Sequence, residues 1–77
     1  MYMKATVSRR GKFEMTVMQP DAESTDEFRS TLEAELRELF AFDPTCSVFD
    51  IKFETDGGTT HSQAVMIDEG GFKFVEL

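Results

Sequence analysis

Residues Val48–Asp68 read VFDIKFETDGGTTHSQAVMID, an alternation of apolar and polar side chains that turns on two glycines and then resumes. A period of two is the mark of a strand with one buried face. With Gly57 and Gly58 as the turn, a pair suited to type I′ geometry, Asp56 opposes Thr59. Phe53 then faces Ser62, Ile51 faces Ala64 and Phe49 faces Met66. The other side pairs Glu54 with His61, Lys52 with Gln63, Asp50 with Val65 and Val48 with Ile67. A hairpin with one face in water should be polar there, yet Val48, Val65 and Ile67 stand among the charges.

The alternation extends on both sides of this hairpin. With Asp68, Glu69 and Gly70 as a loop, Met66 opposes Phe72 and Ala64 opposes Phe74, leaving Lys73, Val75 and Leu77 on the far side. A register one residue out would reverse that choice, because a single-residue slip exchanges the faces. Near the start, YMKATVS and KFEMTVM alternate likewise. A three-residue loop of Arg9, Arg10 and Gly11 sets Ser8 against Lys12, Val7 against Phe13, Ala5 against Met15 and Met3 against Val17. It also places a glycine where such a loop needs a left-handed residue.

Between the two alternating regions the period changes. Pro20 cannot donate to a ladder and ends the second strand. Ser24 with Glu27 three residues on is a capping box, and Asp26 and Glu27 suit a helix N-terminus. Phe28, Leu32, Leu36, Leu39 and Phe40 form one helical stripe, and Glu33 precedes Arg37 by the four residues of a surface ion pair. Pro44 then forces the preceding residue out of the helical region.

These readings predict an α+β domain of order β-β-α-β-β-β, an antiparallel sheet of about five strands with one helix packed on one face. The strands are expected over about 2–8, 12–18, 46–55, 59–67 and 72–77, and the helix over about 25–41. Strand order stays open, since the helix lets the first hairpin dock on either edge. One helix covers one face, so Tyr2, Met18, Val48, Val65, Ile67, Val75 and Leu77 are expected on an uncovered face. That makes them a candidate partner or homodimer surface, although isolated apolar residues on a surface are also ordinary. FKFVEL is a candidate edge strand for sheet extension.

Seventy-seven residues make one small domain with a marginal core. The balance of 8 basic and 15 acidic residues, a net charge of −7, argues against direct nucleic-acid binding. Glu23, Asp26, Glu27, Glu33, Glu35 and Glu38 gather on or just before the helix, where they are a solvated surface or a face offered to a basic partner. Cys46 is the single cysteine, so no intramolecular disulfide can form, and a reducing, cytoplasmic setting is expected. No apolar run is long enough for a signal peptide or a membrane span.

Chemistry finds little footing. His61, the one histidine, is expected beside Glu54 as a cross-strand pair with a raised pKa, without a nucleophile or orienting shell. Cys46 follows the negative end of the helix, which opposes thiolate formation. One cysteine and one histidine cannot make a zinc site, and DPT, TDGG and DEGG are turns without the spacing of a calcium loop. SRRGK is a basic hairpin tip. No metal, no cofactor and no enzymatic activity are expected.

The succession LEAELRELF, VFDIKF and THSQAVMID resembles small bacterial proteins, some of them sporulation-associated, that share a helix, an Asp-Ile-Lys strand and a strand opening in His-Ser. That resemblance implies no activity. In size, acidity and build the chain also resembles phage-encoded inhibitors of bacterial defence complexes, such as anti-CRISPR proteins. The leading expectation is a non-catalytic protein-binding module, acting by stoichiometric occlusion of a partner with a basic surface; its most concrete form is a phage or mobile-element inhibitor of a bacterial nucleic-acid-handling defence complex. The alternative is a small intracellular bacterial housekeeping or sporulation-type protein that works as a homodimer through its exposed sheet face.

Overall fold

The computed structural model describes residues 1–68 and 70–77. Its elements run β1 (Met3–Arg9), β2 (Lys12–Gln19), α1 (Thr25–Phe42), β3 (Val48–Thr55), β4 (Gly58–Asp68) and β5 (Gly71–Glu76). The strands form one sheet of order β2-β1-β3-β4-β5 with every neighbouring pair antiparallel. The expected α+β build and element order are therefore present. The first hairpin docks through β1 onto β3, so β2 and β3 run parallel, with α1 crossing over β1 between them. Both are antiparallel to the strand they flank.

The helix begins as its capping residues dictate. Ser24 Oγ accepts the Glu27 amide at 3.1 Å, while the Glu27 carboxylate takes the Glu23 amide at 3.0 Å and Gln19 Nε2 at 3.1 Å. That carboxylate ties the helix start to the end of β2 as well as capping it. The end is set by Asp43, whose amide still bonds Leu39 O while its extended backbone leads into Pro44. Phe28, Leu32 and Leu36 bury their side chains on Met3, Ala5 and Val7 of β1, Val17 of β2, Phe49 and Ile51 of β3 and Ala64 of β4. Edge-on aromatic contacts, Phe28 with Phe53 and Phe49 with Phe72, extend this core toward β5.

Pairing in the first two hairpins differs from expectation by two residues. Arg10 and Gly11 both take positive φ, 57° and 77°, so the first turn has two residues and Arg9 belongs to β1. Ala5 faces Val17 and Val7 faces Met15; a bulge at Glu14 then sets Ser8 against Phe13. That extra residue turns Phe13 outward, where it is 65 % exposed, in place of the expected core position. Arg9, two residues after Val7 on the unbroken β1, points inward.

In the second hairpin the turn is Asp56-Gly57, and the positive φ falls on Gly58 at 131°. The Gly57 amide bonds Thr55 Oγ1 at 3.1 Å, which closes the turn one residue earlier than a Gly-Gly pair would. Phe49 faces Ala64, Ile51 faces Ser62, Lys52 faces His61 and Val48 faces Val65. Glu54 lies opposite Thr59, so the expected Glu54–His61 pair is not formed. The third hairpin has the expected register, Met66 with Phe72 and Ala64 with Phe74. Its loop was expected to include Glu69, which lies outside the described residues.

Candidate functional site

The face of the sheet away from α1 is open, and antiparallel pairing arranges its side chains in rows. Met18, Lys4, Glu54 and Thr59 form one row. Thr16, Thr6, Lys52 and His61 form the next, continued by Leu77, whose amide bonds His61 O at 2.9 Å. Phe13, Ser8, Asp50, Gln63 and Val75 make a third, and Val48, Val65 and Lys73 a fourth. The middle of the face is thus polar and its margins apolar. Phe13 and Met18 stand on the β2 edge, and Val75 and Leu77, 40 % and 72 % exposed, on the β5 edge.

At the centre lies a depression of about 320 Å³, lined among others by Thr6, Ser8, Asp50, Lys52, His61 and Leu77. Gln63 Nε2 donates to Asp50 Oδ1 at 3.2 Å, which fixes both side chains across β3 and β4. Lys4, Lys52 and Lys73 share the face with Asp50 and Glu54, so the protein's acidity is not concentrated here. Among the expected members of this surface, Tyr2, Val48 and Val65 are half-buried, whereas Met18, Ile67, Val75 and Leu77 are exposed. Phe13, missed in the sequence, joins them because only the bulge sends it outward.

The acidic residues of the helix layer divide. Glu27 reaches β2 through Gln19. Arg29 lies 4.9 Å over the Phe74 ring and Arg37 donates to Gly70 O at 3.2 Å, so the opposite flank faces β5. At about 100° per residue, Glu35 and Glu38 fall on the Glu27 flank, while Asp26 and Glu33 share the other with the two arginines. Glu23 precedes the helix and caps nothing with its side chain. The β2 flank is therefore acidic without relief, and Arg37 spends its guanidinium on the β4–β5 turn rather than on Glu33.

Arg9 is the structural surprise. It is 5 % exposed, with Nη1 donating to Asp43 O at 2.7 Å and Cys46 O at 3.1 Å, and its guanidinium carbon is 5.0 Å from the Phe49 ring centre. Glu14 and Asp43 carboxylates lie 3.5 and 3.7 Å away. These contacts fasten the helix exit to β1. Hydrogen bonds from the Thr45 side chain and amide hold the Asp43 carboxyl below the usual carboxylate range, aided by Arg9 and Arg10. Cys46 is half-buried just before β3, its thiol directed at Val48 O, and His61 is exposed.

Among the described residues no cluster of histidine, cysteine or acids could hold a metal ion, and no helix is long and apolar enough to cross a membrane. Compared with known proteins, the chain matches no family model, no curated protein and no solved structure. Function has to be argued from these surfaces.

Proposed function

We propose that the protein is a non-catalytic binding module that docks a protein partner on the open face of its sheet and occludes it stoichiometrically. The observation that supports this reading is the exposed apolar margin, Phe13 and Met18 on one edge, Val75 and Leu77 on the other, around rows of polar side chains. A partner spanning both margins shuts water out of the polar rows, where matched hydrogen bonds then confer specificity. The net charge of −7 favours encounter with a partner of basic surface through long-range attraction, while the docking face itself mixes Lys4, Lys52 and Lys73 with Asp50 and Glu54. A groove that otherwise takes nucleic acid is such a surface, and its occlusion would inhibit a nucleic-acid-handling complex.

The test is affinity capture from a bacterial lysate at low and high salt, with Phe13→Ser and Leu77→Ser as companion baits. A partner retained by the native chain, weakened by salt and lost with both variants supports the reading; no capture at low salt removes it. A second reading, a homodimer through the same face, is favoured by the exposure of Val75 and Leu77 beside the β5 edge. Light scattering at high micromolar protein distinguishes it, since a monomer there excludes the dimer.

A further inference from the structure

On the covered side of the sheet, the core does not fill the space beneath the first turns of α1. A cleft of about 260 Å³ opens there, with Met3, Phe28 and Phe53 as apolar lining and Ser62, Arg29 and Glu76 as its most telling polar members. Along the inward face of β4 the side chains run Met66, Ala64, Ser62, Thr60, so an apolar strand face turns into hydroxyls as it enters the cleft. Ser62 is only 8 % exposed and forms part of the cleft wall.

The charged residues of the lining say what the cleft could hold. Glu76 is the cross-strand partner of Ser62, so a carboxylate and a hydroxyl converge on one spot of the cleft wall. Arg29 projects from α1 into the same cleft and lies 4.9 Å over the Phe74 ring. Neither Arg29 nor Glu76 takes part in an ion pair among the described residues; those pairs involve Arg9. Opposite charges on one small cleft with an apolar lining, neither of them in an ion pair among the described residues, complement a zwitterion with an apolar arm. The volume lies just under the usual range of small-molecule sites, about 300–1,000 Å³, as suits a ligand of amino-acid size.

We propose that this cleft binds a free apolar α-amino acid. Its carboxylate meets Arg29, its ammonium group meets Glu76 and Ser62, and its side chain lies on Phe28, Phe53 and Met3. The site lies on the opposite side of the sheet from the docking face and does not rest on that reading.

The test is an amide-resolved NMR titration with three probes: L-phenylalanine, 3-phenylpropionate, which lacks the ammonium group, and phenethylamine, which lacks the carboxylate. Saturable shifts with L-phenylalanine at residues 25–29, 53–55, 60–62 and 76 are expected, with each truncated probe about tenfold weaker, the loss of one charged contact. Arg29→Gln should lower L-phenylalanine to the level of phenethylamine, and Glu76→Gln to that of 3-phenylpropionate. Both residues are exposed, so both variants fold. No saturable shift up to the solubility of the amino acid would mean the cleft holds solvent only and overturns the proposal. Equal affinity for all three probes, or shifts confined to the outer face, overturns it as well.

Discussion

Replacing Arg9 tests how the two layers are joined. Its Nη1 bonds to Asp43 O and Cys46 O, at 2.7 and 3.1 Å, are charge-assisted, and such bonds contribute about 1.5–3 kcal/mol each. The contact with Phe49 adds about 1 kcal/mol. Against this stands the cost of drying a guanidinium that is only 5 % exposed, which returns part of the total. The Glu14 and Asp43 carboxylates are partly in water and contribute little. Arg9→Met keeps most of the stem packing and removes the charge, so it should cost about 2–4 kcal/mol, a large share of what so small a core supplies. Arg9→Lys, which keeps one donor head, should fall near half that value. Urea unfolding followed by far-UV circular dichroism measures both. High salt should not rescue Arg9→Met, because the lost bonds go to carbonyls. A change under about 0.5 kcal/mol, the range of an ordinary surface substitution, would refute the clamp.

Other perturbations follow from single positions. Gly11→Ala meets no atom within 4 Å yet must hold φ near +77°, so backbone strain alone should cost about 1–2 kcal/mol in the same urea assay. Ser24→Ala removes the acceptor of the Glu27 amide and should destabilise by about 1 kcal/mol, read as a lower thermal midpoint; an unchanged midpoint would show the cap is idle. Asp43 has a lowered folded pKa, owing first to Thr45, so its contribution is present above the usual carboxylate range and is lost as pH falls through the lowered value. Asp43→Asn should therefore flatten the acid limb of a urea-midpoint-against-pH curve, and identical limbs would contradict the assignment.

The kinds of element and the face each residue takes were legible in the sequence. The helical stripe, the Ser24 cap and the alternation of the strands are local, and they placed Phe28, Leu32, Leu36, Ala5, Val17, Phe49, Ile51 and Ala64 inward as the structure has them. Pairing was less legible for a definite reason. A shift of two residues leaves every side chain on its face, so burial cannot distinguish one even register from the next, and turn geometry decides. That is why Lys52 rather than Glu54 meets His61. Only where a bulge breaks parity does a residue change sides, as Phe13 does; Arg9, expected in the loop, simply continues the inward parity of Val7 because the turn is shorter.

What the chain by itself determined is therefore a helix over a sheet of about five strands, an acidic surface and apolar residues on both faces of the ribbon. What only the tertiary structure decided is the order β2-β1-β3-β4-β5, the buried arginine and the two recesses on opposite sides of the sheet. The division is physical: local patterns act through neighbouring residues, whereas edges, clamps and clefts exist only once distant strands meet and some groups are left without partners.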